Sequence, residues 1–293
     1  IRAIQECLKI ANLKSTEITD IAFNTKPISN IIPKSLFFFK NLSLKKNQPI
    51  KRIFKKINIK NKLLENFTLN KNVKYHFIEH HLAHIASAFY PSGFKKANGL
   101  SIDGSGDFVT CAIAECNGKK IKIIKKTFFP HSLGIFYHGM TQFLGFKYYG
   151  DEYKMMGLAA YGIPKYFEKI KNNLFFENSN DLFKLNLEYF NHQKPGYKYI
   201  TGDNLEIDQI YNDKLSNLFL GDIKNENNYL DFQKNFASSA QKVYEYFFEK
   251  IVSNLLNKKF SKNLVFAGGC ALNSSANQYI TSNNYFDNVY ISY

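Results

Sequence analysis

Apolar residues recur along this chain in two periods, and their alternation divides it into predicted elements. Ile4, Leu8 and Ala11 recur at helical spacing within residues 2–12, with Cys7 beside them, which is the mark of one apolar helix face. Residues 19–23 are a short run that predicts a strand. Residues 75–79 lead into a helix over 80–90, which Pro91 stops because proline lacks the amide of a helix interior and restricts the residue before it. A strand over 99–103 ends in a glycine turn. Strands over 108–114 and 120–127 flank Asn117-Gly118, a pair suited to the positive φ angles of a hairpin turn. Ser132 caps a helix running to about Leu144, with Gly145 at its end. Residues 236–256 read as a long amphipathic helix and 263–267 as a buried strand, followed by Gly268-Gly269 and a helix through about Ile280. Residues 163–234 are rich in Asn, Lys and aromatics, lack motifs, and read as a variable insertion or subdomain. No repeat period is evident. Strands that alternate with helices and end in glycine–acid turns predict an α/β domain with its ligand at the strands' carboxyl ends.

Composition narrows the classes. The chain has 293 residues, 45% of them hydrophobic, enough to bury one large domain or two modest ones and unlike a disordered or fibrous chain. It carries 39 Lys+Arg against 24 Asp+Glu, a formal charge of +15. Arg2 and Arg52 are its only arginines, whereas nucleic-acid readers lean on the bidentate arginine fork. A nucleic-acid partner is therefore disfavoured. Residues 40–76 hold eleven basic residues against Glu65, a net +10. Ile50, Ile53, Phe54, Ile57, Ile59, Leu63 and Leu64 interleave with them, as on an amphipathic surface helix. The same stretch, with Lys51, Lys55 and Lys56, could form an electropositive rim for an anionic substrate. Cys7, Cys111, Cys116 and Cys270 form no C-x-x-C pair, so no disulfide framework is expected and a reducing cytoplasm is the default. No stretch approaches the roughly 18 apolar residues of a spanning helix, and no membrane association is expected. The chain begins at Ile1 and stops at Tyr293 within the strand-like run 288–293, which suggests a fragment.

Four runs carry candidate chemistry. In Glu79-His80-His81-Leu82-Ala83-His84, His80 and His84 are four apart and share a helix face, a spacing that lets two imidazoles bind one metal ion. His81 lies about 100° round the helix and is expected to turn elsewhere. The alternative is a pair of helix histidines bonded to backbone or carboxylates. In Ser101-Ile102-Asp103-Gly104-Ser105-Gly106-Asp107, Asp103 ends a strand, and Gly104 and Gly106 let the backbone fold tightly and present amides to phosphate. Asp103 could join His80 and His84 in a set suited to iron(II) or a similar divalent ion; an ordinary Asp-Gly turn is the alternative. In Gly150-Asp151-Glu152-Tyr153-Lys154, Glu152 could accept from ribose hydroxyls and Lys154 could meet a phosphate as a point charge. The alternative is a helix start with acids in its first turn. In Phe266-Ala267-Gly268-Gly269-Cys270-Ala271-Leu272-Asn273, a strand runs through two glycines into a helix, which either brings backbone against a nucleotide or serves as a packing turn.

Taken in order, these runs resemble the carbamoyltransferase family that includes nodulation and antibiotic-tailoring O-carbamoyltransferases. The resemblance extends through His84-Ile85-Ala86-Ser87-Ala88-Phe89-Tyr90-Pro91, Pro130-His131-Ser132-Leu133-Gly134, Met155-Met156-Gly157-Leu158-Ala159-Ala160-Tyr161-Gly162 and Ala237-Ser238-Ser239-Ala240-Gln241. It implies an α/β, actin/hexokinase-like (ribonuclease-H-like) fold of mixed sheets flanked by helices, incomplete at both ends. Residues 1–293 would be part of a carbamoyl-transfer domain. A separate C-terminal domain, absent here, would make carbamoyl-adenylate from carbamoyl phosphate and ATP. The resemblance puts His80, His84 and Asp103 on the metal ligands, and Gly268, Gly269 and Asn273 in the nucleotide-binding turn. Glu152 and Lys154 fall near the nucleoside. Asp107 and His131 are candidate bases by proximity of motif. The expected partners are carbamoyl-adenylate and a hydroxylated saccharide or natural-product acceptor. A further metal ligand is expected beyond Tyr293, so this chain alone should not turn over ATP with carbamoyl phosphate. The alternatives are a tRNA threonylcarbamoyl transferase-like protein and a non-catalytic nucleotide-binding module. A hydrogenase-maturation carbamoyltransferase would carry upstream cysteine-paired zinc fingers, which this sequence lacks.

Overall fold

The computed structural model describes residues 1–40, 59–177, 181–194, 197, 207–257 and 259–292. Its strands are β1 (Asp20–Phe23), β2 (Lys74–Phe77), β3 (Lys96–Gly106), β4 (Val109–Asn117), β5 (Lys120–Phe128), β6 (Asn263–Ala267) and β7 (Asn288–Ile291). Its α-helices are α1 (Arg2–Ile10), α2 (Ile31–Lys40), α3 (Ile59–Leu64), α4 (His80–Phe89), α5 (Leu133–Phe143), α6 (Glu152–Ala159), α7 (Phe167–Leu174), α8 (Asp213–Asn225), α9 (Tyr229–Leu256) and α10 (Ser274–Ser282).

The main sheet has the order β5–β4–β3–β6–β7. Strands β3, β4 and β5 run antiparallel through tight connections, and Gly118 takes a φ of +58° in the β4–β5 hairpin. Strands β6 and β7 add to β3 in parallel, which requires the long helical crossover between β5 and β6. The result is the mixed sheet flanked by helices that the resemblance implies. Strands β1 and β2 form a separate parallel pair.

Central position explains the burial of β3 and β4, whose residues are covered on both faces. Helix α4 covers one face, where Ile85, Ala88 and Phe89 meet Ala97, Ala112, Ala114 and Val265. A Cβ on Gly99 would stand 2.7 Å from Ile85 Cγ2, so only glycine lets α4 lie this close to β3. Helices α5 and α9 cover the other face, where Phe136, Met140, Phe248 and Phe266 join Leu100 and Ile102.

One expectation changes. Helix α9 begins at Tyr229, a full two turns before residue 236, because the Asn228 side chain accepts from the Asp231 amide and Phe232 continues the buried face of Phe236. The motif-poor stretch 163–234 also contributes to the main core: Ile170, Leu174, Leu215 and Phe219 share it with Phe236 and Phe247. Phe175 stacks on Phe247 with ring centroids 4.0 Å apart. Of the basic stretch 40–76, residues 41–58, including Lys51, Lys55 and Lys56, lie outside the described residues. Its end forms the short α3, with Leu63 buried. All four cysteines are free. No described helix is long and apolar enough to cross a membrane.

Candidate metal centre

Glu79 caps α4 by accepting the Leu82 amide at 3.3 Å, and the helix carries His80 and His84 on one face. Their Nε2 atoms stand 3.0 Å apart. Strand β3 delivers Asp103 where its register with β4 shifts between Ile102 and Gly106. Asp103 Oδ2 lies 3.0 Å from His80 Nε2 and 3.3 Å from His84 Nε2. One ligand atom from each residue thus falls within a cluster no wider than 4.8 Å. Two imidazoles and one carboxylate, about three-quarters covered, suit a divalent first-row ion with open coordination positions.

The hydrogen bonds behind the cluster support this fit. His80 Nδ1 is 3.3 Å from the carbonyl of Asn24, and a carbonyl can only accept, so this nitrogen carries the proton. A neutral His80 then turns a lone pair toward a carboxylate, and such a pair is stable only with a proton or a cation between them. Burial opposes the charge of Asp103, but hydrogen bonds from His80, His84 and the Gly104 amide outweigh it and hold this carboxyl far below the usual range. Burial likewise opposes protonated His80, and the Asp103 bond and charge, with the Asn24 carbonyl, raise it above its ordinary value. His81 does turn elsewhere. It is fully buried, bonded to Ser101 Oγ and the Val109 carbonyl at 2.9 Å each, and burial pushes it down to about 4.

Glycines bring the backbone to the cluster. A Cβ on Gly106 would stand 1.9 Å from His80 Cδ2, so the imidazole needs glycine there. Gly268, at φ +101°, leaves room for the Ile102 carbonyl, which a Cβ would approach to 2.4 Å. A Cβ on Gly269 would stand 3.0 Å from Asp103 Oδ1. The Gly268-Gly269 turn thus lies directly beside Asp103. Gly104 is different: a Cβ there would meet nothing within 4 Å, so this side of the turn is open. Ser132 holds the turn from below, donating to the Gly104 carbonyl at 2.7 Å while accepting the Ile135 amide at the start of α5.

The other expected residues divide. Glu152 opens α6 and bonds His138 Nδ1 at 2.6 Å. Burial opposes its charge, but the His138 bond outweighs it and holds the carboxyl below its ordinary value. The phenol of Tyr149 is raised by burial and then by the charges of Asp103 and Glu152. Lys154 is paired with Asp151 at 2.6 Å. Asn273 is buried and occupied: its Oδ1 caps α10 through the Ala276 amide at 3.0 Å, and its amide pairs with Gln241. Asp107 accepts from Thr25 Oγ1 at 2.6 Å, the Lys26 amide at 2.7 Å and the His80 amide at 3.1 Å. His131 accepts the Leu185 amide at 3.2 Å, outside the cluster, and burial pushes it down to about 4. Asp107 and His131, the candidate bases, thus each have hydrogen-bond partners in this structure. Sequence reasoning missed Asn24, Thr25 and His138. His138 lies within an apolar helix with no motif of its own, and Asn24 meets His80 across 56 residues of chain.

Residues 33–293 match the family described as the carbamoyltransferase N-terminus. The uncharacterised Synechocystis protein sll1178 is 37% identical over 220 residues, covering 73% of this chain and 33% of that protein. The nodulation protein NolNO of Sinorhizobium fredii is 28% identical over 300 residues, covering 99% of this chain and 39% of that protein. Among solved structures, HypF of T. kodakarensis aligns over 83% of this chain and 36% of its own, at 15% identity and a TM-score of 0.37. The chain spans 33–39% of the length of the two curated relatives. Since the family match runs through the His80–His84 helix, Asp103 and the Gly268-Gly269 turn, this chain belongs to the carbamoyltransferase family, in its N-terminal part.

Proposed function

We propose that this chain performs the transfer half of an O-carbamoyltransferase reaction, moving a carbamoyl group from carbamoyl-adenylate to a hydroxyl of a saccharide or similar acceptor. The donor would come from carbamoyl phosphate and ATP, made by a separate adenylate-forming domain, and the four free cysteines suit a cytoplasmic setting. The observation behind this reading is the convergence of His80, His84 and Asp103 beside the Gly268-Gly269 turn in a chain of this family.

His80, His84 and Asp103 would hold a divalent ion, iron(II) being the best match to their donor set. A bound ion there supplies Lewis-acid polarisation and neutralises charge on the donor. The Gly104 and Gly269 backbone would approach the phosphate of the adenylate, and Glu152, with its second oxygen beyond the His138 bond, would accept from ribose hydroxyls. Lys154 would act on the nucleotide only after exchanging Asp151 for phosphate. In the transfer, the acceptor oxygen bonds to the carbamoyl carbon and the hydroxyl proton leaves to a base. The bond from that carbon to the AMP phosphate oxygen breaks, and AMP departs with its electron pair. The partners of Asp107 and His131 favour positioning roles for both.

The test is metal stoichiometry together with AMP release from synthetic carbamoyl-adenylate in the presence of hydroxylated acceptors. The expected result is one ion per chain and metal-dependent AMP release, both lost in His84→Ala and Asp103→Ala. Absence of bound ion in the wild type, or AMP release that ignores these variants, would overturn the proposal.

A further inference from the structure

The segment from Asn24 to Lys34 crosses behind the cluster. We infer that it is a strap that aims His80 at the metal, with Asp107 as its anchor and positioning residue. The inference rests on the metal-centre reading above and adds residues to it.

One carboxylate ties strap to helix. Asp107 Oδ1 accepts from Thr25 Oγ1, and its Oδ2 accepts both the strap amide of Lys26 and the helix amide of His80. The same strap brings the Asn24 carbonyl to His80 Nδ1. That bond selects the tautomer whose Nε2 lone pair faces Asp103 and His84, the second-shell device by which proteins orient an imidazole ligand. Further contacts hold the strap down. Asn30 Nδ2 donates to the Asp107 carbonyl at 3.0 Å, and Lys126 Nζ donates to Asn30 Oδ1 at 3.1 Å. Lys34 Nζ donates to the carbonyls of Pro27 and Ser29 at 2.9 and 2.6 Å. Phe37 closes the end of the segment against Phe108 and Phe129, with centroids 5.6 and 5.5 Å apart. Asp107 and Phe108 also take φ angles of +49° and +74°. Two consecutive side-chain-bearing residues in this region are strained, and strain of this kind persists where surrounding contacts over-determine it. An interior hairpin turn would be served by glycine; here the left-handed position holds the residue that the strap requires.

The test compares wild type with Thr25→Val, Thr25→Ser and Asp107→Asn in the full chain, using cobalt(II) as the probe. Affinity is read by chelator competition and coordination by the cobalt absorption spectrum; circular dichroism of the metal-free proteins checks folding. Thr25→Val and Asp107→Asn should weaken cobalt binding roughly 10–100-fold and alter the spectrum. Thr25→Ser keeps the hydroxyl and should restore both. Asparagine tolerates the left-handed conformation, so Asp107→Asn removes the charge without forcing a backbone change. Unchanged affinity and spectrum in folded Thr25→Val and Asp107→Asn would overturn the strap. So would unchanged cobalt binding with lost transfer in Asp107→Asn, which would make Asp107 the base. Absence of cobalt binding by the wild type would instead overturn the metal centre itself.

Discussion

Single atoms decide the geometry of the cluster, and two glycines in one turn show it by contrast. Gly106→Ala would place a methyl 1.9 Å from His80 Cδ2, and that ring is held by Asn24 behind it and Asp103 before it. The ring or the turn must move, at an overpacking cost of about 1–3 kcal/mol. Thermal melts of Gly106→Ala should show this loss, and the ion-to-chain ratio should fall. Gly104→Ala meets open space and should melt like the wild type; a large loss of stability there would refute this account of the turn. The convergence of His80, His84 and Asp103 was legible in the sequence at this scale because its rules are local. Four-residue spacing puts His80 and His84 on one face, and a strand followed by glycine exposes Asp103. The partners of Asp107 were not legible, since no local pattern announces a hydroxyl 82 residues away.

At the scale of elements, the same residue can be read as a ligand or as a joint. Asn273 was expected in the nucleotide-binding turn, and in the structure it also joins α9 to α10. Its amide pairs with Gln241, which in turn accepts from Tyr137 at 2.7 Å. Asn273→Ala removes a helix cap and leaves Gln241 short of a buried partner, which should cost about 1–3 kcal/mol in denaturant unfolding without any nucleotide present. Wild-type stability with impaired nucleotide binding would instead make ligand binding the main role of Asn273. Helices α4 and α5 were readable because a proline, a serine cap and a closing glycine mark their ends. Helices α7 and α8 were not, because their apolar positions are sparse among Asn and Lys and gain meaning only when Phe175 and Phe219 meet α9.

Across the whole molecule, three histidines shielded from solvent set an acid limit: His81 and His192 are buried and His131 is half-buried. His81, His131 and His192 are each pushed by burial from 6.5 to about 4. They come from α4, the β5–α5 turn and the stretch after Phe190, so their protonation opposes the fold as a unit. The unfolded chain binds these protons first, so the stabilisation is complete above the unfolded value and is lost as pH falls from 6.5 toward 4. His80, raised in the folded state, contributes in the opposite direction, but three groups oppose one. The urea midpoint of chelator-treated protein should therefore be lower at about pH 5 than at about pH 7; equal midpoints would contradict the burial account.

The mixed sheet has a temporal consequence. His80, His84, Asp103 and Asp107 come from one short stretch, while Gly268 joins them only when β6 pairs with β3, with Asn98 opposite Leu264. A contact that closes so long a loop forms late, whereas a hairpin and its neighbouring helix form early. During synthesis from the N-terminus, the histidine–aspartate cluster is assembled while the glycine turn is still unmade. On the proposed function, ion capture would thus precede the closing of the sheet, and the site proposed for the nucleotide would be complete only in a chain that has finished folding.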